Sequence, residues 1–529
     1  MLKRSTYAAI AAAIALGVAG VVTTTAPAGE AERGDASLVR TDNGTVRGTV
    51  TDTVRVFQGI PYAAPPVGER RWAPTAPAKK WDGVRSATEP GAACPQTGSL
   101  PAVGPKSGDE DCLFVNVTTP RASSTKARPV MVYLHGGGHT DSEGAMYGAR
   151  RLAAQGDVVV VTVNYRLGAL GYLAHPDLEK RGESGNYGFL DQQAALRWVQ
   201  RNAAAFGGNP GNVTLFGQSA GGYSTCAHLI APSSAGLFDR VIQQSAPCTS
   251  AMGQRDREDA LAAGVATAGV LAKKHKLADW RTASPEQLVS PFGMGPEYQP
   301  VFGGELLPRT PQEAFATGNF NKVPVLQGIT RDEERARVYG IELGKKQATG
   351  DPDAQIDESD RRTHLEQEFG KKQASAIAAR YPSSAYGNSP AAALGAALTD
   401  GNWARQSVDS GRALSRHVPT YTYEFADSTV PWYADPNYRK PAFDVGAGHT
   451  FDLPYLFELD AYQPLSPAQR GLSDEMIRIW SDFARTGKAD WKPTTPTAPN
   501  AQALASGPGG IRPVDFAAQH HYGFWISLR

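Results

Sequence analysis

The clearest candidates for chemistry lie in the segment Phe216-Gly217-Gln218-Ser219-Ala220-Gly221-Gly222. An apolar stretch, 213–216, leads directly into this Gly-x-Ser-x-Gly pattern, and a helix-compatible stretch follows it. A serine becomes an exposed nucleophile when a sharp strand-to-helix turn holds its hydroxyl above a sheet, and flanking glycines let the backbone close around it. An ordinary glycine-rich turn is the alternative. The motif and its flanks together favour Ser219 as a nucleophile.

A second glycine run, His135-Gly136-Gly137-Gly138, follows the apolar stretch 130–134. Acyl transfer builds negative charge on a carbonyl oxygen, and backbone N–H groups can be fixed around that charge where glycines permit close approach. A flexible loop is an equally good interpretation of this run taken alone. Because Ser219 follows further along the chain, we interpret the run as part of an oxyanion hole.

A nucleophilic serine on such a turn needs an acid and then a histidine later in the chain. Two adjacent carboxylates, Asp332 and Glu333, follow the apolar stretch 323–327, and the residues alone do not decide between them. His449 is the favoured histidine, because the small residues before it, Gly446-Ala447-Gly448, would let its loop reach the serine. We therefore expect a triad of serine, carboxylate and histidine.

No other pattern in the chain indicates a metal or a cofactor. There is no His-Glu-x-x-His and no Cys-x-x-Cys arrangement. His520 and His521, near the C-terminus, are expected to have structural roles. The predicted chemistry thus uses protein groups only, with no metal and no cofactor.

Short apolar stretches with strand character alternate with helical ones, and these elements must position the candidates. The predicted strands are 130–134, 158–163, 213–216, 241–244, 323–327, 420–425 and 524–528. A helix is predicted over 191–206, where Leu196 and Val199 are spaced for one buried face. This alternation predicts an α/β fold with a mostly parallel central sheet flanked by helices. Antiparallel strands are expected at the N-terminal edge, and irregular excursions over 345–362 and 490–510.

Charge and length limit the organisation of the chain. Its 529 residues include 53 basic and 52 acidic side chains, a net charge of +1, with no basic stripe, so nucleic acid is not an expected partner. Length alone suggests about three domains. Ser219, the adjacent pair Asp332 and Glu333, and His449 lie more than 100 residues apart in turn, yet they must meet in one site. We therefore predict a single domain over residues 29–529.

Residues 1–28 are typical of a secretory signal peptide. Lys3 and Arg4 give a short basic start, residues 7–22 are apolar and rich in alanine, and Ala26-Pro27-Ala28 has the small-x-small form of a cleavage site. A membrane anchor is the alternative, but this apolar stretch is shorter than the roughly 20 residues that span a bilayer. We expect cleavage near Ala28 and a secreted, extracellular protein, with no stable membrane anchor and no obligatory protein partner.

Several long motifs, in one order along nearly the whole chain, resemble the type-B carboxylesterase/lipase family, which includes the cholinesterases and the para-nitrobenzyl esterases. They are Phe57-Gln58-Gly59-Ile60-Pro61-Tyr62-Ala63-Ala64-Pro65-Pro66, Glu110-Asp111-Cys112-Leu113-Phe114-Val115-Asn116-Val117, Asn164-Tyr165-Arg166-Leu167-Gly168, Phe206-Gly207-Gly208-Asn209-Pro210 and the segment around Ser219. The resemblance implies an α/β-hydrolase fold with large loop and helix insertions. It also implies a secreted bacterial member of this family.

Transferred residue by residue, the resemblance assigns Ser219 as the nucleophile and His449 as the base. It selects Glu333 rather than Asp332 as the acid. The oxyanion donors that it implies are the N–H groups of Gly137, Gly138 and Ala220. Gln218 departs from the family, whose members usually have a glutamate there, so a negative charge is missing beside the nucleophile.

The resemblance also bears on the four cysteines. Cys94 and Cys112 match the first disulfide of the family. Cys226 and Cys248 match no bridge that can be placed from the resemblance, so a disulfide between them stays open.

The reaction implied is hydrolysis of carboxylic esters through an acyl-enzyme, on soluble small-molecule esters with short to medium acyl chains. A cholinesterase would need an aromatic face for a quaternary ammonium, and residues 95–111 contain no aromatic side chain. A lipase would want an apolar lid there, where only Leu100, Ala102 and Val103 are apolar. Amide or carbamate hydrolysis by the same triad stays open. A non-catalytic adhesion module is disfavoured, because serine, glutamate and histidine are all present.

Overall fold

An eleven-stranded, mostly parallel sheet runs through the protein. The structure is a computed structural model, and it describes residues 35–98, 104–122, 124–180, 182–289 and 297–528. The leader predicted over residues 1–28 lies outside these ranges, as do Leu100, Ala102 and Val103.

Sixteen strands are present within the described ranges. In chain order they are β1 (Leu38–Arg40), β2 (Thr45–Arg47), β3 (Thr49–Val50), β4 (Val54–Pro61), β5 (Val84–Ser86), β6 (Phe114–Pro120), β7 (Arg128–Leu134), β8 (Val159–Val163), β9 (Gly208–Gln218), β10 (Arg240–Gln244), β11 (Arg255–Asp256), β12 (Val301–Phe302), β13 (Val325–Thr330), β14 (Thr420–Phe425), β15 (Ala501–Leu504) and β16 (Arg512–Val514). The large sheet has the order β16-β15-β14-β13-β10-β9-β7-β8-β6-β4-β3.

The central pairs of this sheet, from β15 to β8, are parallel. Antiparallel pairs lie at its two ends, where β16 joins β15 and where β6, β4 and β3 follow β8. The predicted parallel sheet with antiparallel strands at its N-terminal edge is therefore confirmed.

Fifteen α-helices accompany the strands within the described ranges. They are α1 (Arg150–Gly156), α2 (Gly168–Tyr172), α3 (Tyr187–Asn202), α4 (Ala220–Ile230), α5 (Arg257–His275), α6 (Pro285–Leu288), α7 (Pro311–Thr317), α8 (Glu333–Thr349), α9 (Glu358–Phe369), α10 (Lys371–Arg380), α11 (Pro390–Thr399), α12 (Arg405–Leu414), α13 (Pro467–Thr486), α14 (Phe516–Gln519) and α15 (Tyr522–Ser527). A π-helical turn over Asp400–Ala404, here called the π-turn, joins α11 to α12.

The central strands are buried along nearly their whole length because both faces of the sheet are covered. In β7, Val130, Val132 and Leu134 belong to one buried apolar cluster, and Met131 and Tyr133 to another. Successive side chains of a strand point to opposite faces, so this division places one core on each side of the sheet.

The predicted strand 524–528 is wrong, because Tyr522–Ser527 form helix α15. Trp525 is buried there, and its indole N–H donates to the hydroxyl of Tyr381 at 2.7 Å. Of its two neighbours, Ile526 is exposed and Phe524 is only partly buried. Aromatic and β-branched residues favour strands in general, but one anchored tryptophan decides this short segment.

The two predicted irregular stretches are correct only in part. Residues 345–362 contain the end of α8 and the start of α9. The carboxylate of Asp357 accepts hydrogen bonds from the N–H groups of Ser359 and Asp360, which caps α9 despite its polar sequence. Residues 490–510 are irregular as predicted, apart from the buried strand β15 over Ala501–Leu504.

Two disulfides lie close to the elements that carry the candidate residues. Cys94 is bonded to Cys112, with Cα atoms 4.9 Å apart. Cys226 is bonded to Cys248, with Cα atoms 5.4 Å apart, so the pairing that the sequence left open is present. This second bridge ties α4 to the segment that follows β10.

His520 is buried between two carboxylates near the C-terminus. Its Nδ1 lies 2.5 Å from Oδ1 of Asp400, and its Nε2 lies 2.6 Å from Oε1 of Glu424. Burial alone would lower the pKa of His520, but the charges and hydrogen bonds of Asp400 and Glu424 raise it to about 10. The imidazole is therefore positively charged at neutral pH, and it joins the C-terminal segment to β14 and the π-turn.

We predict that His520→Gln destabilises the protein at neutral pH by about 3 kcal/mol or more, because it leaves buried carboxylates without their cation. The pKa of His520 is raised above 6.5, so its contribution is fully present below about pH 6.5 and is lost as pH rises through about 10. The difference in Tm between wild type and variant should therefore shrink from pH 6.5 to 10. His521→Gln, at the neighbouring histidine, is the matched control. A pH-independent difference would contradict the charged state.

Candidate active site

Ser219 occupies a strained turn between β9 and α4. Its φ and ψ angles are 56° and −125°, a conformation that L-residues rarely adopt and that the surrounding structure must enforce. The N–H of Ser219 donates to the carbonyl of Gln244 at 2.9 Å, and its own carbonyl accepts from the N–H of Tyr223 at 2.9 Å. The serine is only partly buried.

The glycines around Ser219 are required by close backbone contacts. A Cβ on Gly217 would lie 2.5 Å from the carbonyl group of Gly221. A Cβ on Gly221 would lie 1.9 Å from the carbonyl oxygen of Leu134. No larger residue fits at either position without moving the backbone, which explains the Gly-x-Ser-x-Gly pattern in physical terms.

Glu333 and His449 form a close pair. Nδ1 of His449 lies 2.5 Å from Oε2 of Glu333, whose other oxygen accepts from the N–H of Thr330 at 2.8 Å. The Glu333 side chain is 0% exposed, whereas that of His449 is 23% exposed. Glu333 is the first residue of α8, where the positive end of the helix dipole stabilises a carboxylate. The imidazole is thus oriented from its buried side and reaches solvent on the other.

Asp332 has a different role from Glu333, although the two are adjacent. Its Oδ2 accepts from the N–H of Ala447 at 3.0 Å, and its Oδ1 pairs with Arg335 at 3.1 Å. Its backbone N–H also donates to the carbonyl of Ala447 at 2.9 Å. Asp332 therefore holds the loop that carries His449 and does not contact the imidazole.

The pKa of His449 is raised above 6.5. Burial would lower this pKa, but the charge and hydrogen bond of Glu333 outweigh it, with further contributions from the charges of Asp452 and Glu334. A base of this kind is strong enough to accept a serine proton and is neutral only above its raised pKa.

Gln218 contacts the opposite nitrogen of His449. The two Nε2 atoms of these side chains lie 3.3 Å apart. Because Nδ1 of His449 faces Glu333, its Nε2 has the free lone pair, and the amide of Gln218 donates to it. The residue that departs from the family pattern therefore touches the nitrogen that a serine proton would reach.

The glycine run after β7 packs against the serine turn. A Cβ on Gly136 would lie 3.1 Å from Cβ of Ser219. Gly137 and Gly138 have φ angles of 84° and 63°, in the region that favours glycine. Ala220 is the first residue of α4, where the N–H groups have no partner within the helix. The glycine run therefore lies against the serine turn, and Ala220 directly follows the serine in the chain.

Two residues at the site were not identified as functional from the sequence. The Trp403 ring packs against that of His449, with centroids 5.1 Å apart. Asp452 accepts from Nε2 of Gln244 at 2.7 Å, and burial, together with the charge of Glu333, raises its pKa to about 6. Asp452 follows His449 by three residues, whereas no spacing pattern points to Trp403.

The described ranges contain no group of three or more His, Cys, Asp or Glu side chains that could hold a metal ion. No helix in the same ranges is both long enough and apolar enough to cross a membrane.

Comparison with known proteins identifies the family. The model of the carboxylesterase family matches residues 35–509. The para-nitrobenzyl esterase of Bacillus subtilis (strain 168) is 36% identical over 475 residues, which cover 85% of this chain and 90% of that protein. The cocaine esterase of Oryctolagus cuniculus is 33% identical over 504 residues, 89% of this chain and 90% of that protein.

Solved structures agree with these sequence relationships. A PNB esterase structure has a TM-score of 0.73 and 31% identity, and the match covers 92% of this chain and 100% of that one. A thermophilic PNB esterase gives a TM-score of 0.73 and 30% identity, with the same coverage. The predicted α/β-hydrolase fold is confirmed. The chain belongs to the carboxylesterase family and is a carboxylic-ester hydrolase.

Proposed function

We propose that this esterase hydrolyses soluble esters with short to medium acyl chains through an acyl-enzyme on Ser219, with His449 as base and Glu333 as acid. The observation that carries this proposal is the His449–Glu333 pair, a partly exposed base oriented by a fully buried carboxylate close to a strained serine turn. That arrangement combines a nucleophile, a base and an orienting acid, as acyl transfer requires.

The reaction begins when Oγ of Ser219 attacks the ester carbonyl carbon and its proton passes to Nε2 of His449. Glu333, bonded to Nδ1–H, stabilises the resulting imidazolium. The N–H groups of Gly137, Gly138 and Ala220 donate to the oxyanion.

Collapse of the tetrahedral intermediate breaks the bond to the alcohol oxygen. His449 returns its proton to that leaving group. Water then attacks the acyl-enzyme with His449 again as base, which releases the acid and restores the Ser219 hydroxyl.

The relatives support soluble small-molecule esters as the substrate class. Their names describe esterases for para-nitrobenzyl esters, cocaine and fumonisin B1, all of them small molecules. We propose the same broad class here. Lipase, cholinesterase, amidase and adhesion functions are weaker candidates, because none of them is suggested by these relatives.

We further propose that residues 1–28 are a signal peptide, that residues 29–529 form one domain and that the protein is secreted. The basic start and the alanine-rich stretch support the leader. Two disulfides are in keeping with an oxidising compartment. A single sheet that carries the residues before Ser219, Glu333 and His449 supports one domain.

Replacing Ser219 tests the nucleophile. We predict that Ser219→Ala abolishes hydrolysis of p-nitrophenyl acetate, with a loss of at least about 10³-fold in kcat/KM, while the circular dichroism spectrum and Tm stay close to wild type. Ser233→Ala, at an exposed serine beyond the end of α4, is the matched control and should retain activity. Turnover by Ser219→Ala at the wild-type rate would exclude Ser219 as the nucleophile.

The pH dependence of kcat/KM tests the base. Only neutral His449 accepts the serine proton, and its pKa is raised, so activity should fall as pH decreases through a value above 6.5. We expect kcat/KM for p-nitrophenyl acetate, measured from pH 5 to 9, to decrease toward low pH with one apparent pKa. This decrease is called the acid limb. A rate that is flat from pH 5 to 8 would count against His449.

A further inference from the structure

Trp403 lies against His449 from a part of the fold that carries none of the triad. It is on the π-turn, and its ring centroid is 5.1 Å from that of His449, with the two planes tilted by 47°. The tryptophan is only 8% exposed. Single turns of π-helix are rare and often occur at functional sites. The contact with His449 and the π-helical turn together indicate that this indole acts on the imidazole.

The indole is also held at its edge. Its Nε1–H donates to Oε1 of Glu334 at 2.7 Å, and the N–H of Glu334 donates to Oγ1 of Thr399 at 3.0 Å. Glu334 directly follows Glu333 in the first turn of α8. Trp403 and the acid partner of His449 are thus fixed by the same helical turn, so the indole has a defined orientation relative to the imidazole.

The π-turn is anchored from the C-terminal side as well. Asp400, its first residue, accepts from the hydroxyl of Tyr381 at 2.8 Å and faces Nδ1 of His520 at 2.5 Å. A Cβ on Gly401 would lie 2.7 Å from the ring of Trp525. These contacts hold the turn that presents Trp403.

We propose that Trp403 is a positioning residue, which holds the His449 imidazole in its reactive orientation and stabilises its positively charged form through the negative face of the indole. A cation within about 6 Å of an aromatic ring centroid is attracted by the ring quadrupole, and this attraction strengthens where water is excluded. The inference rests on the proposed function, since it assigns to His449 the role of the base.

The charged groups around His449 make the effect of Trp403 measurable. Glu333 contacts Nδ1, and Asp452 and Glu334 act through their charges. Arg337 pairs with Glu334, and Gln218, which faces Nε2, is neutral. A change from tryptophan to leucine also removes the N–H that donates to Glu334, and Trp403→Phe loses the same bond, so a comparison of the two variants isolates the effect of the ring. Leucine keeps the surface apolar but removes the attractive ring.

The experiment compares Trp403→Leu with Trp403→Phe, which keeps an aromatic face but loses the bond to Glu334. Phe516→Leu, in the same apolar cluster as Trp403, is the packing control. For each variant, kcat and KM for p-nitrophenyl acetate are measured from pH 5 to 9 together with the Tm.

For Trp403→Leu we expect kcat to fall by about 3- to 30-fold, KM to stay within about twofold, and the acid limb to move down by roughly half a pH unit or more. Trp403→Phe should keep the wild-type acid limb and lose less in kcat. Phe516→Leu should lower Tm but change neither kcat nor the limb. Trp403→Met, with a flexible side chain that fits irregular gaps, replaces the leucine variant if that variant does not fold.

The proposal is overturned if Trp403→Leu or Trp403→Met shows the wild-type acid limb, or if Phe516→Leu lowers kcat equally. It is also overturned if Trp403→Phe moves the acid limb as far as the leucine variant does. A failure of the proposed function looks different, because Ser219→Ala would then stay active and wild type would lack an acid limb.

Discussion

The site depends on one buried interaction, the contact between the carboxylate of Glu333 and Nδ1 of His449. A buried carboxylate is costly unless it is paired and hydrogen-bonded, and here one oxygen faces the imidazole while the other accepts from Thr330. The same contact orients the imidazole and raises its pKa. The requirement to satisfy a buried charge therefore also fixes the geometry of the base.

The sheet explains how residues so distant in the chain meet. Ser219 follows β9 and Glu333 follows β13, while the loop that carries His449 comes after β14. The strands β9, β10, β13 and β14 are consecutive neighbours in the sheet and run parallel. Their carboxyl ends therefore lie at one edge, which is where sites form in sheets of this kind.

The outer contacts of the site reach well beyond the triad. Asp332 holds the loop before His449 from one side, and Trp403 covers the imidazole from another. The π-turn that carries Trp403 is itself anchored through Asp400 to the charged His520. The ion pair of His520, the π-turn and the ring contact of Trp403 thus connect the C-terminal segment to the base. These contacts restrict the rotation of the imidazole on its loop.

Much of the sheet could be predicted from the sequence, because buried parallel strands give unbroken apolar stretches and the nucleophile turn requires glycines at fixed positions. Glu333 could not be separated from Asp332 by the residues alone, since their side chains diverge only once α8 begins. Trp403 could not be found at all, because a π-turn has no spacing pattern. The error at 524–528 has the opposite cause, as one tertiary contact of Trp525 overrode local strand preference.

The most direct test of the buried pair is a comparison of Glu333→Gln with Asp332→Asn, which make the same chemical change at adjacent positions. The kcat/KM for p-nitrophenyl acetate is measured for both from pH 5 to 9. The account predicts a loss of about 10⁴-fold for Glu333→Gln, with its residual acid limb at lower pH. For Asp332→Asn it predicts that kcat/KM falls by no more than about tenfold and that the acid limb stays at the wild-type pH. A large loss for Asp332→Asn with a small one for Glu333→Gln would contradict it.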